Sequence, residues 1–331
     1  MYFSSCHLVF LSVGEIELTK AFVFPGQGSQ IVGMGRDLYE GSPAARAIFD
    51  RADATLGFPL AQLCFEGPEE TLTATENAQP ALLTVSTALL AALSENADIS
   101  SFVVRRSSFV AGHSLGEYSA LVAAGALEFS TALRLVRRRG ELMAAADEGA
   151  MAAIIGLDEH LLEALCREVS AAGTPVVIAN YNSPGQLVIS GTIRAVEQAC
   201  GLAKERGAKR ALPLKVSAAF HSPLMRAAAD GLAAAVANAP IADARVPVLS
   251  NVTAEPLTEA EDIRHELVAQ VKSAVRWIAS VQRMAGDGVD TFVEVGPGAV
   301  LTGLIKRIAP GARLVNINDL ASARSFLSAE S

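Results

Sequence analysis

Short apolar runs alternate with amphipathic segments along most of this 331-residue chain, and few architectures accommodate that order. Runs at 21–24, 109–111, 246–250 and 291–295 read as strands. The stretches 42–56, 71–96, 117–124, 131–146, 221–239, 259–271, 274–285 and 299–308 read as helices. Ser42-Pro43 opens the first of these as an N-cap followed by proline at the first helical position. Strands separated by helices pair in parallel and are covered on both faces.

The middle of the chain has a different order. Residues 151–157 read as a strand and 158–172 as a helix capped by Asp158. Two further strands, 176–181 and 186–190, flank the turn Asn182-Ser183-Pro184-Gly185. A helix at 192–206 and a strand at 210–216 complete a β-α-β-β-α-β unit, the ferredoxin-like signature. The expected fold class is α/β, with this small subdomain (149–216) inserted into a large one (20–148 and 217–331). A cleft between them is the expected ligand site. Residues 1–19 are expected to be an N-terminal extension from a start codon placed too early.

Composition narrows the function. With 51% hydrophobic and 19% charged residues, the chain has the profile of a soluble enzyme with a substantial core. A formal charge of −8 provides no basic field for nucleic acid. No positively charged segment precedes the apolar Leu8-Val9-Phe10-Leu11, and 81–93 is too short and too rich in Ala and Thr to span a bilayer. Cys6, Cys64, Cys166 and Cys200 show no metal-binding or CxxC spacing, so reduced thiols in the cytoplasm are expected. A monomer with no metal or redox cofactor, no membrane partner and no nucleic-acid partner is the expectation.

Gly112-His113-Ser114-Leu115-Gly116 matches G-x-S-x-G between a strand and a helix, where paired glycines allow a sharp turn that exposes the serine hydroxyl. The alternative is a Gly-rich turn with a bystander serine. A serine nucleophile needs a base. Of five histidines, His7 lies in the extension, His113 within the turn, and His160 and His265 on exposed helical faces. His221 follows the run 216–220 and opens the next helix, which places it at a strand end on the rim of an open α/β sheet. No acid stands out as its partner. Asp287, Asp290 and Asp319 are possible by order, and a backbone carbonyl would serve equally. Pro25-Gly26-Gln27-Gly28-Ser29-Gln30 after the first strand suits an oxyanion-hole loop, or a plain turn.

Arg139 says most about substrate. On a helix over 131–146 it falls among Ala132, Leu135, Val136, Leu142 and Met143, opposite Arg134, Arg137, Arg138 and Glu141. A guanidinium on an apolar face must meet an anion or carbonyls. Two readings stand level: a structural partner such as a core Glu, or bidentate capture of a substrate carboxylate.

Taken together, these residues resemble the malonyl-CoA:acyl carrier protein transacylase family. The resemblance spans about 21–319. It rests on FPGQGSQ (24–30), GHSLGEYSAL (112–121), RGELM from Arg139, NYNSPGQLVISG (180–191), AFHSPLM (219–225), SNVTAEP (250–256) and EVGPGAVLTGLIKRI (294–308). It implies an α/β-hydrolase-like core and malonyl transfer from malonyl-CoA to the phosphopantetheine thiol of acyl carrier protein through a malonyl-serine ester. It further implies Ser114 as nucleophile and His221 as base, with the amides of Gln27 and Leu115 as oxyanion hole. Arg139 would hold the malonyl carboxylate, Gln270 would offer a main-chain carbonyl to the histidine, and Asn182 would be a polar cleft residue. The extension departs from the family pattern, and so does Phe220, where many fatty-acid members carry Ser. In related polyketide acyltransferases a Phe there accompanies malonyl rather than methylmalonyl choice. Fatty-acid synthesis is the expected pathway, a trans-acting role in polyketide synthesis the alternative. A serine hydrolase shares the turn and the histidine, and a non-catalytic carrier-binding module shares the fold.

Overall fold

The computed structural model describes residues 19–94, 98–146, 149–171, 173–216 and 218–330; the segment holding Cys6 and His7 lies outside these. Ten strands are present among them: β1 (Thr19–Phe24), β2 (Phe109–Gly112), β3 (Ala150–Ile155), β4 (Val176–Ser183), β5 (Gln186–Gly191), β6 (Arg210–Pro213), β7 (Val248–Leu249), β8 (Pro256–Leu257), β9 (Val289–Val295) and β10 (Arg313–Ile317). Six form one sheet in the order β10-β9-β1-β2-β7-β8, parallel throughout except for β8 at its edge.

The alternation of side chains along a strand explains why both faces are covered. On β1, Phe22 and Phe24 enter a core built with the helices Pro43–Leu56, Thr75–Ser94 and Phe129–Ala144, while Ala21 and Val23 meet Trp277, Val281, Leu301 and Ile305 behind the sheet. Each buried Phe, Leu or Ile contributes roughly 1.5–3 kcal/mol to folding. That is why this strand sits at the centre of the sheet.

The other four strands make an antiparallel sheet in the order β4-β5-β3-β6, with helices Glu159–Ser170 and Ile193–Glu205 packed on a separate core that includes Ile154, Leu162, Ile178, Ile189 and Ala199. This is the ferredoxin-like arrangement. Ser42, Asp158 and Thr192 each cap a helix through the side chain.

Three local expectations are corrected. The segment 71–96 is split: Glu69–Thr73 is a separate short helix, and Thr75–Ser94 carries Pro80 near its start. Strand β6 stops at Pro213 instead of 216. No helix opens at His221, which has a left-handed backbone (φ 56°). Ser222 caps a short 3-10 turn, Pro223–Met225, and the helix proper is Arg226–Ala237. Strands β8 and β10 and helices Arg36–Gly41, Leu60–Glu66, Ile99–Val104 and Leu320–Glu330 are additions to the pattern reading.

Candidate active site

The parallel strand β2 delivers its C-terminal end into a bend at Ser114, where the backbone is left-handed (φ 51°) and helix Gly116–Ala123 begins two residues on. A Cβ on Gly112 would lie 1.9 Å from the Gly116 backbone, and one on Gly116 would lie 2.1 Å from the Phe24 carbonyl oxygen. Only glycine lets the bend close this tightly against β1. Asn251, just after β7, straps it from both sides. Its Oδ1 accepts from the Ser114 amide at 2.7 Å, and its Nδ2 donates to the Gly112 carbonyl at 2.7 Å. A left-handed non-glycine residue costs of order 1–3 kcal/mol, and these bonds offset that strain.

The hydroxyl so presented lies between a base and a cation. Ser114 Oγ is 2.7 Å from His221 Nε2. His221 Nδ1 faces two carbonyls, Gln270 O at 2.9 Å and Ser273 O at 3.1 Å, which accept only. The ring proton therefore sits on Nδ1 and leaves Nε2 free to take the serine proton. Burial, reinforced by the Arg139 charge, pushes the imidazole down to about 3, so the ring is neutral. Asp287 pairs with Arg283, Asp290 accepts from Thr291, and Asp319 caps Ser322, so none of the three acids meets the histidine.

Arg139 is 1% exposed on helix Phe129–Ala144. Its Nη1 donates to Gln79 Oε1 at 2.7 Å, and its Nη2 donates to Gln270 Oε1 at 2.9 Å and to Ser114 Oγ at 3.0 Å. Its Nε has no partner, and no ion pair involves it among the described residues. A core carboxylate is not its partner. Its hydrogen-bond acceptors among the described residues, Gln79, Gln270 and Ser114, are all neutral, and the Tyr118 ring centroid lies 5.9 Å from its Cζ.

The amides of Gln27 and Leu115 make no hydrogen bond among the described residues. Both residues line a cavity of about 320 Å³ together with Ser114, Arg139, Asn180, Phe220 and His221. A second cavity of about 800 Å³ shares Gln27, Thr73, Lys215, Val216 and Phe220 with it and is edged by Glu69, Glu70 and Glu76. The small subdomain contributes Met151 and Asn180 from its sheet, and Leu214, Lys215 and Val216 from the segment after β6, to the inner cavity.

Asn182 is placed differently from the expectation. Its Oδ1 meets His113 Nε2 at 2.8 Å, and the cavity is lined by Asn180 instead. Register shifts in the β4–β5 pairing on either side of this segment change which side chains face the cleft. His113 stacks edge-on against Trp277 (ring centroids 5.7 Å apart), and burial pushes its pKa below the ordinary value. Sequence reasoning passed over Gln79 and Asn251. A lone buried amide within the apolar stretch 78–91 was a readable signal for Gln79. Asn251 lies within SNVTAEP (250–256), but nothing local points to an elbow 137 residues away.

Residues 21–319 match the family model of the acyl transferase domain. The chain belongs to that family. Among relatives of this acyl transferase, the malonyl CoA-acyl carrier protein transacylase of Bacillus subtilis is 51% identical over 302 residues, covering 90% of this chain and 93% of the relative. The acyl-carrier-protein S-malonyltransferase structure from Bartonella henselae superposes with a TM-score of 0.90 at 43% identity, covering 94% and 99% of the two chains. A malonyl-transacylase solved in complex with a type II PKS acyl-carrier protein superposes with a TM-score of 0.89 at 44% identity, with the same coverage. No helix among the described residues of the acyl transferase is long and apolar enough to cross a membrane.

Proposed function

We propose that this protein moves a malonyl group from malonyl-CoA to the phosphopantetheine thiol of an acyl carrier protein, through an ester on Ser114. One observation carries the reading: a buried guanidinium without a carboxylate partner donates to the nucleophile itself. In a malonyl-serine ester the free carboxylate lies within about 4 Å of Oγ, from the bond lengths alone. A cation already touching Oγ reaches it with little movement, and a fork of N–H donors suits a carboxylate.

The chemistry needs no other cofactor. Ser114 Oγ attacks the thioester carbonyl as its proton passes to His221 Nε2. The O–C bond forms, the C–S bond breaks, and the proton leaves with the coenzyme A thiol. In the second half the pantetheine thiol gives its proton to Nε2 and attacks the ester, and the proton returns to Oγ. The oxyanion of each tetrahedral intermediate is held by the amides of Gln27 and Leu115, each worth about 3–4 kcal/mol to the transition state. The Gln270 and Ser273 carbonyls hold the imidazole and favour its charged form as it appears.

The inner cavity takes the acyl group and the outer one the pantetheine arm. Phe220, buried where the two meet, narrows the space beside the malonyl methylene and favours an unbranched substrate. Carrier proteins are acidic, and Lys204, Lys209 and Arg210 lead along β6 to Leu214 and Lys215 at the cavity wall, a basic approach for such a partner. Fatty-acid synthesis is the proposed pathway, with polyketide synthesis served by the same chemistry.

The test is to incubate the purified protein with malonyl-CoA, look for a malonyl adduct on Ser114 by mass spectrometry, and add holo carrier protein. An adduct discharged onto the carrier supports transfer. Rapid release of free malonate indicates a hydrolase, and absence of any adduct overturns the reading.

A further inference from the structure

Gln270 touches the side chains of His221 and Arg139 and the backbone of Ser114. Its backbone oxygen accepts from His221, its side-chain Oε1 accepts from Arg139, and its Nε2 donates to the Ser114 carbonyl at 2.9 Å and to Glu117 Oε2. An amide has two opposite ends. Turned over, Gln270 would press an NH₂ against the Arg139 guanidinium and an oxygen against the Ser114 carbonyl, so something must fix which way it points.

Glu117 does so. It is 0% exposed, in the first turn of the helix that follows the elbow. Its other oxygen, Oε1, is buried without a hydrogen-bond partner among the described residues, and the Glu266 carboxyl lies near enough to act on it electrostatically. Two neighbouring buried carboxyl groups do not both ionise, so one of them keeps its proton. Glu266 already accepts on both oxygens, as a carboxylate does: Oε2 takes the Ser250 hydroxyl at 2.7 Å and Oε1 the Val252 amide at 3.0 Å. The Ser250 oxygen already accepts the amides of Val252 and Thr253, so its own proton is committed to Glu266. The proton therefore belongs to Glu117.

We propose that Glu117 is a neutral carboxylic acid and a positioning residue: it donates to Glu266, accepts from Gln270, and thereby keeps the Gln270 oxygen on Arg139. Burial and the neighbouring Glu266 charge both push the Glu117 pKa well above the ordinary carboxylate range. The groups that face this network are Glu266, Tyr118 and Arg139, with Gln270 and the Asn251 amide. Neutrality matters for specificity. An ionised Glu117, one amide away from the guanidinium, would satisfy the charge that the malonyl carboxylate is meant to meet. The inference rests on Arg139 as the carboxylate receptor proposed above.

The experiment compares the full-length protein with Glu117→Gln, Glu117→Ala and Glu266→Gln, in malonyl and acetyl transfer and by infrared spectroscopy. A glutamine at 117 copies the neutral acid, with an NH for Glu266 and an oxygen for Gln270. It should keep kcat/KM for malonyl-CoA within about threefold, because no buried group loses its partner. Glu117→Ala frees the Gln270 amide, and malonyl kcat/KM should fall by about tenfold to a hundredfold with a smaller change for acetyl-CoA. Glu266→Gln places an NH₂ against the Val252 amide or the Ser250 hydroxyl and should resemble the alanine variant. A neutral-acid C=O band in the wild-type protein at neutral pH should vanish in Glu117→Gln, whatever the activity. Loss of malonyl transfer in a folded Glu117→Gln, or a band unchanged by it, overturns the assignment. A wild-type protein with the band but without malonyl transfer would instead sink the functional reading, leaving the proton where it is placed here.

Discussion

At the scale of single residues, Arg139 performs two tasks with one charge. In the proposed transfer it recognises the acyl group's free acid, and it adds to the burial that keeps the His221 imidazole neutral. The two tasks can be separated by pH. Base catalysis needs neutral His221, and its pKa is held at about 3, so the acid limb of kcat/KM should lie far below the ordinary histidine range. A limb near pH 6.5, the unperturbed value, would contradict this environment. Arg139→Ala removes a positive charge that lowers the histidine pKa, so the limb should move upward toward neutrality. The same variant should lose about two to three orders of magnitude in malonyl-CoA kcat/KM while acetyl-CoA changes little, since only malonyl loses charge-assisted hydrogen bonds. Unchanged acyl preference would remove Arg139 from recognition. Phe220→Ser should admit methylmalonyl-CoA, with its kcat/KM rising relative to malonyl-CoA by about tenfold, the order of effect that one methyl-sized space confers.

At the scale of elements, the elbow works because three backbones meet closer than side chains permit. Gly116→Ala drives a methyl group into the Phe24 carbonyl and should cost about 1–3 kcal/mol or more, together with most Ser114 acylation. Gly303→Ala is the internal control. It sits in helix Val300–Ile308 with nothing within 4 Å of its Cβ position, and it should gain about 0.5–1 kcal/mol. Equal melting temperatures for the two variants would refute the crowding argument. The elbow and the capped helices were legible because glycine spacing and Ser42, Asp158 and Thr192 act locally. His221 was found through a strand end that does not exist. Strand β6 ends at Pro213, ahead of the apolar run 216–220, and a left-handed φ on a histidine leaves no mark in hydrophobic periodicity. Asn251 and Glu117 escape for a related reason: each acts on a group brought to it by the fold, and nothing local in the sequence marks that group. The edge elements β8 and β10 are short or half-exposed, too weak for a pattern to declare.

At the scale of the whole molecule, the question is how an ester survives beside water until a thiol arrives. The small sheet walls the inner cavity through Met151 and Asn180, so its attachment to the large subdomain decides how often water enters. That attachment includes a backbone bridge. Val275 donates to the Ala179 carbonyl at 2.8 Å and accepts from the Tyr181 amide at 2.9 Å, which pairs it with Asn180 on β4. Two residues earlier, the Ser273 carbonyl holds His221, so the bridge ties the cleft wall to the segment that orients the base. Val275→Pro deletes the donor and should make local opening about ten to a hundred times more frequent, the effect of about 1–3 kcal/mol for a lost buried hydrogen bond. Amide exchange at Tyr181 should accelerate by that factor, and the share of malonyl-serine lost to free malonate should rise at the expense of carrier-bound product. The first turnover on Ser114 should be slowed far less, because the elbow, Asn251 and Arg139 are anchored in the large subdomain. If exchange accelerates while the partition between water and thiol stays fixed, the small sheet does not exclude water, and protection of the ester must come from the Arg139–carboxylate contact alone.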